Sequence, residues 1–152
     1  MARVQRTLKI PGSIGEVFAY MTLPENMVKW VTFLTHVHVT STQTVGPDTC
    51  ITCTLEILGK TISFDAVTTE YKENERLVFQ TQEHAPFFLK NTLTFSTEGP
   101  YTKVEWVMDY SMGWAGKIGE LGLLNYFNHE LDRSLERVRQ EFASRQVEKR
   151  LI

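Results

Sequence analysis

The chain has 152 residues, a length that fits one domain with a sizeable core. Apolar residues make up 42% and charged residues 22%, and the formal net charge is −2; nucleic acid is excluded as a main partner, because phosphate binding needs a basic surface. No apolar run reaches the ~18 residues of a membrane span, and MARVQRTLKIPG lacks the apolar centre of a signal peptide, so no integral membrane segment and a cytoplasmic location are expected.

In chain order, residues 3–10 alternate apolar and polar and predict a half-buried strand, stopped by Pro11-Gly12. Ser13 and Glu16 have capping-box spacing, with Val17, Phe18 and Met21 on one face, which predicts a helix over 13–22. Pro24 opens a second short helix, 24–30, that ends at Trp30. Strands are expected over 35–45, 49–58, 60–72, 76–83, 87–97 and 101–112, punctuated by Gly46-Pro47-Asp48, Gly59, Glu73-Asn74-Glu75, Ala85-Pro86 and Glu98-Gly99-Pro100. Connections this short favour an antiparallel meander, and the alternation gives it one buried face. The inward phases read Ile51, Cys53, Leu55 and Ile57; Ile62, Phe64 and Ala66, continued by Thr68 and Glu70; Leu77, Phe79 and Thr81; Phe87, Leu89, Asn91, Leu93 and Phe95; and Val104, Trp106, Met108 and Tyr110.

A terminal helix is expected over 117–149, roughly 50 Å long at 1.5 Å per residue. Its apolar stripe reads Leu121, Leu124, Asn128, Leu131, Leu135, Val138 and Phe142, with Asn128 the one polar member. Glu130, Arg133, Glu136, Arg137, Glu141 and Arg145 fall on the solvent side, and the last turns beyond Phe142 are expected in solvent or frayed. The stripe also fits a coiled-coil seam and is compatible with a homodimer, although six preceding strands need a cover for their own apolar face. Gly113, Gly116, Gly119 and Gly122 recur every third residue ahead of the stripe, as a loose helix start against a strand or as a flexible gate.

Cys50 and Cys53 form a CxxC, but within a strand they point to opposite faces, and no second ligand pair is near; both are read as structural thiols. His36, His38, His84 and His129 make no metal pattern, and no nucleophile–base arrangement or phosphate-cradling loop can be assembled, so no metal and no cofactor are expected.

The motifs Ile10-Pro11-Gly12-Ser13, Glu16-Val17-Phe18-Ala19-Tyr20, Pro24-Glu25-Asn26 and Lys29-Trp30, with this element order, resemble the START-like, helix-grip (SRPBCC) superfamily. Within it the chain is similar to the polyketide cyclase/dehydrase and lipid-transport family of small bacterial proteins. Tyr101-Thr102-Lys103-Val104-Glu105-Trp106 resembles that family's Gly-Thr-x-Val strand, with Tyr in place of Gly. The resemblance covers the whole chain and implies an α+β fold in one domain, 1–152. A curved seven-stranded antiparallel sheet would wrap the long C-terminal helix, with two short helices closing one end. It further implies an apolar cavity between sheet and terminal helix, holding a lipid, quinone or polyketide-like small molecule.

The candidate wall of such a cavity is Trp30, Phe64, Phe79, Phe87, Asn91, Leu93, Phe95, Trp106, Met108 and Tyr110, with Leu124, Asn128 and Leu131 from the terminal helix. No catalytic residue is assigned. A cyclase or dehydratase on the same scaffold would need a general acid or base in the cavity, for which Glu70, Tyr110 and His84 are the candidates. A protein-interaction module with a filled core is the third reading.

Overall fold

The computed structural model describes residues 1–113 and 119–151. Gly116 and the expected helix start at Lys117 lie outside the described residues. Strand β1 (Ala2–Pro11) is followed by α1 (Ile14–Thr22) and α2 (Pro24–Trp30). Six strands follow: β2 (Leu34–Val39), β3 (Cys50–Ile57), β4 (Lys60–Lys72), β5 (Arg76–Thr81), β6 (Phe88–Glu98) and β7 (Tyr101–Ser111). Helix α3 (Gly119–Leu151) ends the chain. All seven strands form one antiparallel sheet in the order β1-β7-β6-β5-β4-β3-β2, the helix-grip arrangement expected. Because β1 and β2 are opposite edges, α1 and α2 must carry the chain from one edge to the other. That detour places the two short helices across the open side of the sheet.

Local chemistry sets the ends of these helices. Ser13 is extended (φ −71°, ψ 150°), and its Oγ accepts from Glu16 N at 3.4 Å. The reciprocal half of the capping box does not form, because the Glu16 carboxylate turns to Lys149 Nζ at 3.5 Å. Pro24 starts α2 at a position where the missing N–H costs nothing. At Gly12, φ is +154°, and an added Cβ would lie 2.9 Å from Phe142 Cδ1, so β1 ends flush against the far part of α3. Thr102 Oγ1 donates to Gly12 O at 2.9 Å and holds that approach.

Two strand expectations change. The second strand is short, Leu34–Val39, and residues 40–45 are not part of it. Ser41 Oγ donates to Gln43 O (2.7 Å) and accepts from Cys50 N (3.0 Å), and Gln43 Nε2 donates to Pro47 O (2.9 Å). These side chain–backbone bonds compete with the ladder and outweigh the Thr and Val propensity. In β4 a register shift between Thr68 and Glu70 ends the inward phase. Glu70 is exposed and pairs with Arg76 at 3.0 Å, so it does not face the core.

Helix α3 begins at Gly119 (φ +78°), so of the described glycines of the series Gly113 precedes the helix, Gly119 opens it and Gly122 lies within its first turn. Its buried residues are Leu123, Phe127, Glu130, Leu131, Ser134, Leu135, Val138 and Phe142. From Leu131 onward this is the expected stripe. Before it, the buried face is Leu123 and Phe127 in place of Leu124 and Asn128, which are half-buried, while Leu121 is 71% exposed. The reason is aromatic packing: the Phe127 ring meets Tyr110 at 4.9 Å and Phe33 at 5.5 Å between centroids, edge-on in both cases. Glu130, expected in solvent, is buried because its carboxylate accepts from Thr32 Oγ1 and from Arg133 Nη1 (2.9 Å). Ser134 Oγ receives Thr32 N at 3.0 Å and donates to Glu130 O at 2.7 Å. A polar node thus pins the turn after α2 to the middle of α3. Past Phe142 the helix continues to Leu151 without fraying, and Arg145 lies over the Tyr20 and Phe142 rings at 5.1 and 4.5 Å. Among the described residues no helix is long and apolar enough to cross a membrane.

Candidate functional site

The site is built from a pair of neighbouring strands. Asn91 on β6 and Trp106 on β7 sit diagonally across the ladder, since Asn91 pairs with Met108 and Leu93 with Trp106. Trp106 Nε1 donates to Asn91 Oδ1 at 2.8 Å. An indole nitrogen can only donate, so the amide atom facing it must be the oxygen, and Nδ2 is turned the other way. Trp30 meets Trp106 edge-on at 5.4 Å, and Phe33 stacks on it at 6.4 Å.

These residues border a cavity of about 40 Å³. Its ceiling is Met27, Trp30, Val31, Phe33 and Leu34, from α2 and the residues that follow it. Its floor comes from the sheet: Ile51, Cys53 and Leu55 of β3, Phe64 and Ala66 of β4, Phe79, Gln80 and Thr81 of β5, Leu89, Asn91 and Leu93 of β6, and Trp106 of β7. None of these side chains is carboxylate, ammonium, guanidinium or imidazole. Cys53, the one titratable group among them, has its thiol pushed up to about 12 by burial, with the Asp65 charge adding to the effect; it is a neutral, unreactive wall. A smaller space of about 20 Å³ lies beyond Met27, Ile51 and Phe79, which belong to both walls, and it is bordered on its far side by Pro24, Gly46 and Tyr71.

Of the sequence candidates, Trp30, Phe64, Phe79, Asn91, Leu93 and Trp106 come together around this one cavity. The others are buried or half-buried elsewhere. Phe87 packs edge-on behind Phe64 at 5.0 Å, and Phe95 packs on Phe18 at 5.0 Å. Met108 is fully buried in β7 off the cavity wall. Tyr110 packs on Phe127, its hydroxyl sealed without a partner among the described residues and its pKa raised by burial and then by Glu120. Leu124, Asn128 and Leu131 do not reach the cavity; among the described residues α3 contributes nothing to its wall. The Phe33, Trp106, Phe127 and Tyr110 rings pack together between the sheet and α3, this cavity lies beneath α2, and a more open space of about 380 Å³ beside Tyr110, Met112 and Leu123 lies where β7 meets the start of α3. His84, the remaining acid–base candidate, is exposed and sits 3.1 Å from the Asp65 carboxylate.

Met27, Val31, Phe33 and Leu34 are wall residues that sequence reasoning misses. The Met27–Trp30 spacing in a seven-residue helix carries little periodicity, and the three others lie at or beside an irregular link. Ile51, Cys53 and Leu55 are legible as inward residues but give no sign of bordering a void.

A sheet closed by two short helices and a long terminal helix, with an enclosed apolar cavity, defines the START-like helix-grip class. The sequence profile of the polyketide cyclase/dehydrase and lipid transport family matches residues 1–143, and the chain belongs to that family. Comparison with curated proteins finds no match. Among solved structures, a protein from Thermus thermophilus superposes with TM-score 0.78 at 16% identity, covering 94% of this chain and 98% of its own. The Zhui aromatase/cyclase from Streptomyces sp. R1128 gives 0.77 at 12% identity, covering 95% and 94%. A START superfamily protein from Mycobacterium smegmatis gives 0.75 at 11% identity, covering 93% and 97%. At these identities the likeness is one of fold.

Proposed function

We propose that this protein binds an uncharged, largely apolar small molecule of lipid, quinone or polyketide-like character in the cavity beneath α2. The observation that carries the reading is the wall: aliphatic and aromatic side chains from α2 and six strands surround the space, with Gln80, Thr81 and Asn91 as its few polar members. By volume, about 40 Å³ holds two or three water molecules at roughly 15 Å³ each, but water also needs two to four polar partners, which these walls scarcely offer. Met27, Ile51 and Phe79 separate this cavity from the smaller space beside it, and because the two together still fall short of the roughly 150 Å³ that holds benzene, a larger occupant requires these side chains to shift and α2 to move away from the sheet as well. Methionine, with three rotatable bonds, is suited to such movement. Family membership and the fold likeness to an aromatase/cyclase support the same class of ligand.

Native mass spectrometry of protein purified from its own host, followed by a thermal-shift panel of quinones, lipids and aromatic polyketides, tests this. A ligand at 100 times its Kd adds about 2.7 kcal/mol, which raises Tm by roughly 5–10 °C for a chain of this size. No co-purified species and no shift across the panel would remove the reading. That result would favour a protein-interaction module with a filled core, the reading to which the small cavity volume lends weight. Against a cyclase or dehydratase stands the chemistry of the wall: none of the described lining side chains ionises near neutral pH, and acid–base catalysis needs one that does.

A further inference from the structure

Among the described residues, Trp30 Nε1 and Tyr110 Oη are the buried side-chain polar atoms that are sealed off without a hydrogen-bond partner. Asn91 Nδ2 makes no hydrogen bond to the described residues either, yet it is not sealed. The amide lies within the sheet with 6% of the residue exposed, and Asn91 borders the cavity, so the cavity is the space in which an acceptor for its NH2 group could lie. Trp106 holds the amide so that oxygen faces the indole and the two N–H bonds face away. A buried donor without a partner among the described residues, oriented by a neighbour and carried by a residue of the cavity wall, is suited to act as a polar anchor.

We infer that Asn91 Nδ2 donates a hydrogen bond to a neutral acceptor oxygen of the bound molecule, with Trp106 as the positioning residue, so that the cavity selects ligands bearing a carbonyl, ether or hydroxyl over plain hydrocarbons. The acceptor is neutral because no cationic side chain lines the cavity among the described residues, and a carboxylate or phosphate would be desolvated there without compensation. Selection follows from asymmetry. An oxygen-bearing ligand satisfies the amide, whereas a hydrocarbon of the same shape leaves it unpaired. This inference rests on the binding reading above and adds the chemistry of the ligand to it.

The test uses 1-indanone and indane, two probes of nearly one shape that differ in a single carbonyl. Their affinities are read by quenching of tryptophan fluorescence, since Trp30 and Trp106 both border the cavity. The ratio of the two affinities is taken for the unaltered protein and for Asn91→Leu. The ratio should fall about tenfold or more in the variant, and Trp106→Phe, which frees the amide to rotate, should lower it in part. A second readout needs no variant: with asparagine labelled in its side chain with nitrogen-15, the Asn91 NH2 resonance should move with 1-indanone and stay nearly in place with indane. If both probes bind and the ratio is the same in both proteins, or the NH2 resonance responds equally to both, the anchor is refuted and cavity binding stands. If neither probe binds, the anchor and the binding reading fall together.

Discussion

At the residue scale, Gly12 shows how far apart cause and effect lie in this chain. Pro11-Gly12 reads as a strand stop, and β1 does end there. What the glycine itself is for becomes visible only against Phe142, which an added Cβ would meet at 2.9 Å from a backbone at φ +154°. Gly12→Ala should therefore cost about 1–3 kcal/mol, from backbone strain and from displacement of the Phe142 ring. Gly15→Ala, with nothing within 4 Å and a helical site, should change stability by less than about 1 kcal/mol or raise it. Urea melts of the two variants check this; equal midpoints would mean that Phe142 yields freely. Glu130 gives the opposite lesson. Its helical position marks it as a solvent residue paired with Arg133, and it is buried because Thr32 comes to it from outside the helix.

At the scale of elements, the α3 register is the sharpest case. Counting back by threes and fours from Leu131 selects Asn128 and Leu124, whereas the helix buries Phe127 and Leu123. Both readings obey helical periodicity, and the choice depends on which aromatic pocket is available across the gap. Phe127→Ala should cost about 3–5 kcal/mol, and Asn128→Ala less than about 0.5 kcal/mol. Thermal unfolding decides, and the reverse order would restore the sequence register. Across the β3–β4 ladder, Thr52 and Asp65 are register partners. Hydrogen bonds from Thr52 Oγ1 (2.7 Å) and then from His84 hold the Asp65 carboxyl below the ordinary carboxylate range. With a folded pKa depressed below an unfolded one of about 3.9, the stabilisation is present above that value and is lost as pH falls through the folded pKa. Asp65→Asn should thus be less stable than the parent at pH 6, with the gap closing below about pH 4; a gap that is constant with pH would sink this account.

At the scale of the molecule, the cavity is a property of no single element. Met27 of α2 and Phe79 of β5 divide about 40 Å³ from about 20 Å³, and both are contributed by segments that meet only after the sheet has formed. Truncating the divider should trade stability for capacity. Met27→Ala is expected to lower Tm, at a cost of about 2–5 kcal/mol, and to enlarge the Tm increase produced by 1-indanone. Differential scanning calorimetry with and without the probe measures both; a lower Tm with an unchanged ligand shift would place the ligand wall elsewhere.

Patterning along the chain was enough to specify the seven strands, apart from the end of β2 and the register shift in β4, together with the two short helices and the buried face of the sheet, because alternation, caps and turn residues are local and repeat along the chain; the family and the layout of the sheet followed from the resemblance of its motifs. It also named six of the cavity's wall residues as candidates and brought Ile51, Cys53 and Leu55 into view as inward-facing. Three-dimensional packing alone decided which inward residues touch a void and which fill the core, where α3 turns its face, and that Asn91 gives its oxygen to Trp106. The physical reason is that periodicity records which side of an element is apolar, whereas a cavity is the absence of atoms among side chains from seven separate elements. That absence leaves no trace in the order of residues along any one of them.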